Sequence, residues 1–369
     1  MTDTTKNIDV LVVTPLGQGG MGGIDRIMDD VRAGAADLAS DGVKVRFIAS
    51  RGQGSIALAP FHTAAVAAVL LGARLGMGPD VAHINLSSHG SALRKIAIAA
   101  AARAAGVPYV IHLHGSGFRD YWNSAPAPVA KLVRQMFAGA AIVLVLGQVW
   151  RDYVIGKAPE IADRVRILPN ASPAPEAAQA VQSSADQPPN ILFLGHVGPR
   201  KGVPELVRAL AALPLTYQWR AVIAGNGAVE ETRAEIERLG LSERVSLPGW
   251  VGPDKVRELL AASDIVVLPS YEENLPMSVI EGMAYGRAVV ATPVGAVEDI
   301  LQDGMTGLLV PVGDSGALAD ALRKLLENPG LRRAIGAAAA EFHRQNLDMR
   351  VYVARLGAIW REAARKRRA

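Results

Sequence analysis

The chain has no cysteine among its 369 residues, which excludes a disulfide framework and any thiolate metal site and suits a reducing cytosol. It also lacks the apolar core of a secretory leader, since Met1 to Asp9 is polar, so a cytoplasmic location is expected. Long hydrophobic runs are scarce. The best candidate, Thr63 to Ala73, is too short to cross a bilayer and is flanked by Pro60, His62 and Arg74; it reads as a buried, Ala-rich helix. No period of 20 to 50 residues recurs, which excludes a solenoid.

Half the residues are apolar, enough for two cores, and the length calls for two domains rather than one. The net charge of +4 is unevenly spread. Residues 1–172 hold 17 Lys and Arg against 12 Asp and Glu, whereas 173–344 hold 15 against 21, and the tail is basic again through Arg361 and Arg365 to Arg368. Such asymmetry points one lobe toward an anionic partner such as a membrane surface or nucleic acid; a solvated tail explains Arg365 to Arg368 equally well.

Short β-branched runs alternate with helical patterns, the signature of parallel sheets covered on both faces. Strands are expected at Asp9–Val13, Val43–Ile48, Val81–Ile84, Tyr109–Leu113 and Ile142–Leu146, with helices such as Ile24–Ala39 and Ala92–Ala105 between them. Pro169 to Pro189 is rich in Pro, Ala, Ser and Gln and reads as a linker. The pattern then restarts, with strands at Ile191–Leu194, Arg220–Ala224, Val245–Leu247, Ile265–Leu268, Ala288–Ala291 and Leu308–Val310. The fold class is therefore α/β, two doubly wound Rossmann-like domains in series with a cleft between them. They span residues 1–172 and 190–344 around a linker at 173–189, and residues 345–369 supply a last helix. Ligands bind such sheets at the C-terminal ends of their strands.

After the first strand stands Gly17-Gln-Gly-Gly-Met-Gly22-Gly23, which matches the dinucleotide pattern G-x-G-x-x-G at Gly17, Gly19 and Gly22. The acidic residue expected after the second strand is missing, although Arg51 there suits a 2′-phosphate, so an NADP-binding oxidoreductase stays open as an alternative. The loop also suits close approach of backbone N–H groups to phosphate or sugar oxygens, with Gly22 and Gly23 leading into a helix.

Three features follow one another in the second half. Gly195 to Gly202 carries Arg200 and Lys201, two adjacent cations suited to a diphosphate. Gly225-Asn226-Gly227 closes a strand as a turn. The most specific is Glu273-Asn274-Leu275-Pro276-Met-Ser-Val-Ile-Glu281, where a strand ends in an acidic loop and Pro276 suits the first residue of a helix. The N–H groups of that helix end offer a phosphate site. Glu281 lies about 7.5 Å further along the axis, so one carboxylate flanks each side of the helix end. Val279, Ile280 and Met283 read as buried, and a buried Glu281 requires partners.

Glu273 to Glu281 resembles the E-x7-E motif of the family 4 glycosyltransferases, which adopt the GT-B fold and retain anomeric configuration. The likeness covers most of the chain: Gly22-Gly23-Ile-Asp-Arg-Ile resembles that family's first-domain glycine loop, Pro79 to Ile84 its third strand, and Val110-Ile-His112-Leu-His114-Gly115 its histidine strand end. The resemblance implies transfer of a sugar from a nucleotide-diphosphate donor to a glycan or lipid-linked acceptor, in bacterial polysaccharide or glycolipid synthesis. It implies that Glu273 and His114 meet the donor sugar, Glu281 the ribose, Arg200 and Lys201 the diphosphate with the N–H groups near Leu275, and Val251 the base. Gly22, Gly23, Gly225, Asn274 and Pro276 complete the donor set. The family usually has an arginine directly after the glycine where this chain has His196. No two aspartates are spaced D-x-D, so no metal and no other cofactor is expected, and retention is expected to proceed by front-face attack without a covalent intermediate. A nucleotide-sugar 2-epimerase of the same fold is the main alternative. The basic first domain and tail suggest peripheral docking on anionic lipid at the inner face of the plasma membrane, to reach a lipid-linked acceptor, and no nucleic-acid partner. His83 and His112 read as strand-packing residues.

Overall fold

The computed structural model describes residues 7–20, 23–175 and 187–366. It divides into two compact units, residues 1–170 with 349–369 (unit 1) and residues 171–348 (unit 2). The unit boundaries fall at Asn170 and Met349, a few residues from the expected 172 and 345. Of the expected linker, residues 176–186 lie outside the described residues, as do Met21, Gly22, Arg367 and Arg368.

Unit 1 is built on β1 (Ile8–Thr14), β2 (Val43–Ala49), β3 (Val81–Leu86), β4 (Tyr109–Leu113), β5 (Ile142–Val145) and β6 (Val165–Ile167). All pair in parallel, in the order β2-β1-β3-β4-β5-β6. β3, β4 and β5 are buried at every position, as expected of strands covered by helices on both faces. β6 went unseen in the sequence because Val-Arg-Ile is short and leaves two of three side chains exposed.

Two expectations in unit 1 are corrected. The helix read across Ile24–Ala39 is two, Gly23–Ala33 and Ala35–Ser40, meeting at Gly34. A Cβ at Gly34 would stand 3.3 Å from Val353 Cγ2, so close approach of the last helix uses that break. The Thr63–Ala73 run is helical but is buried only at Val66, Leu70 and Ala73. The helix Ala59–Leu71 continues a helical stretch, Ile56–Leu75, that is long and apolar enough by length and composition to cross a membrane, and only 22% of it is buried. The misreading is physical: a stretch apolar all round is usually core, but here Ile56, Phe61 and Leu75 face outward.

The last helix, Met349–Arg365, belongs to unit 1 and packs Tyr352, Val353, Leu356 and Trp360 into its core. It lies against β1, β3 and β4. Trp360 is fully buried and its Nε1–H donates to His83 Nδ1 at 3.1 Å. His83 must therefore be unprotonated at Nδ1. Its ring meets that of His112 edge to face at 5.4 Å. Both are fully buried strand residues, as the sequence suggested.

Unit 2 is built on β7 (Asn190–Leu194), β8 (Arg220–Ala224), β9 (Val245–Gly249), β10 (Ile265–Leu268), β11 (Ala288–Ala291) and β12 (Leu308–Leu309). The order is β12-β11-β10-β7-β8-β9, again all parallel. Strand order thus reverses beside β7 in unit 2 and beside β1 in unit 1. At such a switch point neighbouring loops leave the sheet in opposite directions and open a crevice.

Burial pushes the pKa of His83 down to about 4 and that of His112 well below the usual range, the latter aided by His114 and His83. Below pH 6.5 the unfolded chain takes up protons that the folded chain refuses, so stability falls as pH drops toward 4. Each such histidine removes up to about 1.4 kcal/mol per pH unit in that window. Denaturant titrations at pH 7 and pH 5 should show unit 1 losing stability first, with a shallower pH dependence in His112→Leu; equal acid loss in that variant would contradict this account.

Candidate functional site

The loops after β7 and β10 flank the switch point of unit 2, and both motifs singled out in the sequence lie on them. The loop Gly195–Gly202 leaves β7 and turns into the helix Val203–Ala211. Gly202 sits at φ +69°, and a Cβ there would fall 1.9 Å from Pro269 O, so glycine alone lets this loop lie against the end of β10. The loop Pro269–Pro276 leaves β10 and enters the helix Met277–Ala284.

Side chains then join the two loops. Lys201 Nζ forms an ion pair with Glu273 Oε1, and Ser270 Oγ donates to the same oxygen at 2.8 Å. Both partners are nearly buried, with side chains 14% and 10% exposed. Arg200 is exposed, and its Nη1 donates to Glu272 O at 3.1 Å, while Tyr271 N donates to Arg200 O at 2.9 Å. Thr292, at the end of β11, donates to Ser270 O at 2.5 Å. Ala296 N donates to Asn274 O at 2.7 Å, and a Cβ on neighbouring Gly295 (φ +62°) would lie 2.4 Å from Glu273 O. The backbone of Glu273 and Asn274 is thus clamped from the β11 side.

Pro276 is the N-cap of the following helix rather than its first helical residue, one position earlier than expected. No side chain caps that helix end, so its first-turn N–H groups and the positive end of its dipole adjoin the same loop. Glu281 lies on the next turn and is 8% exposed, with Val279, Ile280 and Met283 wholly buried around it. Gly282 packs its backbone on β10, where a Cβ would stand 3.0 Å from Val266 Cβ. That contact holds the helix end at the sheet edge.

A second layer closes the other side. A Cβ on Gly225 would fall 1.6 Å from Gly195 O, and Val197 N donates to Asn226 O at 2.7 Å, so the turns after β7 and β8 lie directly on one another. Gly225 N donates to Gly249 O at 2.8 Å, which brings in the end of β9 and places half-buried Val251 just beyond it. His196 is exposed and contacts Asn226 Oδ1 through Nδ1 at 3.3 Å. Arg200, Lys201, Gly225, Val251, Asn274, Leu275 and Pro276 therefore all belong to loops on the C-terminal edge of one sheet, together with Glu273, and Glu281 lies on the helix that the last of these loops enters. Ser270, Thr292 and Gly295, which position Glu273, were missed; Ser270 is local to Glu273 but a serine at that spacing marks nothing by itself, and Thr292 and Gly295 reach the loop from the end of β11.

In unit 1, His114 follows β4. Asn85 Nδ2 donates to Val13 O at 3.1 Å, which turns its Oδ1 toward His114 Nε2 at 2.9 Å, so that nitrogen carries the proton. His114 packs on His112 with ring centroids 4.0 Å apart. Burial, and then His83, push its pKa down to about 3, so it stays neutral throughout the physiological range. Gly23 begins the helix after the glycine-rich loop, and Gly22 lies outside the described residues.

Residues 176–342 match the family model described as glycosyl transferases group 1, and residues 6–171 match the glycosyl transferase 4-like domain. The chain is 30% identical over 280 residues to the alpha-D-kanosaminyltransferase of Streptomyces kanamyceticus, covering 70% of this chain and 72% of that one. It is 32% identical over 245 residues to the phosphatidyl-myo-inositol mannosyltransferase of Mycobacterium leprae, covering 65% of this chain and 64% of the other. Among solved structures, sucrose-phosphate synthase from Thermosynechococcus elongatus matches with a TM-score of 0.77 at 20% identity, over 96% of this chain and 98% of that one. Anabaena HepE in complex with UDP and glucose matches with a TM-score of 0.73 at 20% identity, over 95% and 99%. The fold is GT-B, and these relatives favour neither the oxidoreductase nor the epimerase alternative.

The glycine contacts give a direct test. Gly225→Ala should lower the stability of unit 2 by about 2 kcal/mol or more, because its Cβ must displace a backbone carbonyl. Gly330→Ala, with nothing within 4 Å of its Cβ position, should be near neutral in the same thermal melt.

Proposed function

This chain belongs to the group 1 glycosyl transferases, and from that membership we propose that unit 2 holds a nucleotide-diphosphate sugar while unit 1 takes a glycan or lipid-linked acceptor. The observation that carries the reading is the Lys201–Glu273–Ser270 cluster at the switch point, set beside an uncapped helix end with Glu281 buried on its next turn. Arg200, Lys201 and that helix end supply positive charge where a departing diphosphate gains negative charge. Glu273 receives sugar hydroxyls and Glu281 the ribose hydroxyls. Gly225 and Val251 border the nucleoside.

The transfer proceeds as a front-face exchange. The bond from the anomeric carbon to the diphosphate oxygen breaks, the acceptor oxygen bonds to that carbon on the same face, and the acceptor's proton passes to the departing phosphate oxygen. Glu273 is engaged by a cation and a hydroxyl, which supports a binding role over that of a free nucleophile. The cations replace a divalent metal in this scheme. A thermal-shift screen against UDP-, GDP- and ADP-sugars should single out one base, and a donor at 100 times its dissociation constant adds about 2.7 kcal/mol. Glu281→Ala should abolish that shift. Turnover should persist in chelator, and a loss reversed by magnesium would refute the metal-free scheme.

We also propose that unit 1 docks on an anionic bilayer. In the stretch Ile56–Leu75 and just beyond it, Ile56, Phe61, Leu75 and Met77 are each more than 60% exposed. No Asp or Glu occurs between Asp41 and Asp80, whereas Lys44, Arg46, Arg51 and Arg74 do. Apolar side chains at the acyl boundary with cations at the headgroups is the pattern of an interfacial helix. The full chain should float with phosphatidylglycerol vesicles and only weakly with phosphatidylcholine. Phe61→Ser with Leu75→Ser should stay in the soluble fraction; flotation unchanged by both substitutions and by lipid charge would remove this reading.

A further inference from the structure

Arg51, which follows β2, takes no part in the donor site, and it does not stand alone. Helix Gly90–Ala104 follows β3, and its Lys95 is fully buried with Nζ donating to Ser50 Oγ, the residue directly before Arg51. Ser50 Oγ in turn donates to Thr14 O at 2.9 Å, at the end of β1. The ends of β1 and β2 and the first turns of the helix after β3 are thereby tied together. Arg94 adjoins Lys95, and its Nη1 lies 3.4 Å from where a Cβ on Gly90 would stand, so the guanidinium folds back over the start of that helix.

The Nε atoms of Arg51 and Arg94 are both covered, and among the described residues neither has a hydrogen-bond partner. Thr14, 1% exposed, likewise keeps an Oγ1 without one. Asp25 and Asp29, on the helix Gly23–Ala33, are engaged elsewhere. Asp25 accepts from Leu16 N and Gly17 N at 3.1 and 3.2 Å, and Asp29 accepts from Gly19 N at 2.8 Å. The carboxylates brace the glycine-rich loop, and among the described residues neither Arg51 nor Arg94 has an acidic partner. The half-buried His62 ring sits against Gly52, next to Arg51, and adds no negative charge.

We propose that Arg51, Arg94 and the first turn of the helix Gly90–Ala104 form an anion subsite at the C-terminal edge of the unit 1 sheet, built for a phosphate group carried by the acceptor. Guanidinium forks and free helix N–H groups are the donors that a tetrahedral oxyanion accepts from. Here Ser91 N and Leu93 N already donate to Ser88 O and His89 O, which leaves Gly90 N and Ala92 N without an acceptor among the described residues. The position beside the β1–β3 strand reversal is where a doubly wound sheet takes its ligand. Lys95, behind them, has its pKa lowered to about 7 by burial and by Arg94, and Arg94 has its own lowered by burial and by Arg51. An anion here offsets that mutual repulsion. The inference rests on reading unit 1 as the acceptor side, and it specifies a phosphorylated acceptor. The same phosphate chemistry is met in a soluble sugar phosphate and in a lipid headgroup.

Arginine footprinting of the full chain tests it without requiring turnover. Phenylglyoxal modification, located by mass spectrometry, is followed with inorganic phosphate, with chloride at equal ionic strength, and with phosphatidylglycerol or phosphatidylcholine vesicles. Phosphate at ten times its dissociation constant should slow modification of Arg51 and Arg94 about tenfold. Chloride should not, and in the inorganic phosphate arm Arg74 should remain reactive. Arg51→Gln should cost Arg94 most of its protection while leaving the donor-induced thermal shift intact. Protection by phosphatidylglycerol vesicles alone assigns the phosphate to a lipid headgroup. Absence of protection by either phosphate source, or equal protection by chloride, overturns the subsite. A donor screen that fails while the footprint succeeds would instead remove the transferase reading and leave the subsite standing.

Discussion

The ion pair between Lys201 and Glu273 governs the geometry of unit 2. The loops after β7 and β10 lie beyond the strand ladder, where Tyr271 N donates to Arg200 O and Arg200 Nη1 to Glu272 O. The charged contact, with Ser270 on the same carboxylate oxygen, adds the side-chain tie between them. With both side chains nearly buried, removing one partner leaves an uncompensated charge and costs about 3 to 5 kcal/mol. The pair is reinforced by close backbone approaches at Gly202, Gly225 and Gly295, each of which would be blocked by a Cβ. Rigidity at this edge therefore comes from two devices, opposite charge and missing side chains. Both leave the N–H groups of the helix end without a side-chain cap.

The two units solve the same topological problem with different chemistry. Unit 2 spends its charges in pairs at the sheet edge. Unit 1 keeps its central strands neutral, with His83, His112 and His114 packed together as uncharged rings and Trp360 donating to His83. Its positive charge is displaced to Arg51, Arg94 and Lys95 beyond the strand ends. A parallel sheet permits this division, since its interior is sealed by helices while all its C-terminal loops share one edge.

Much of this was legible in the sequence. The strand runs announced both sheets because buried parallel strands are almost wholly apolar, and Glu273 and Glu281 stood out because two carboxylates bracketed a proline-led helix start. What escaped has identifiable causes. Thr292 and Gly295 act through tertiary contacts that leave no trace in spacing, and Ser270, three residues before Glu273, carries no signal of its own. β6 is three residues long with an arginine at its centre. The Ile56–Leu75 stretch carries the composition of a core helix, and only its exposed Phe61 and Leu75 reveal a surface. The Lys95–Ser50 contact joins residues 45 apart, so the clustering of the three cations emerges only once β1, β2 and β3 are laid side by side.

The helix Met349–Arg365 completes unit 1 although all of unit 2 precedes it in the chain. During synthesis the first sheet can collapse early, but the face that receives Tyr352, Leu356 and Trp360 stays uncovered while residues 171–348 are being made. At about 5 to 20 residues per second that interval lasts roughly 10 to 40 seconds. The nascent chain thus carries an apolar face through the whole of that time, and a ribosome stalled within unit 2 would leave the first half a client for chaperones.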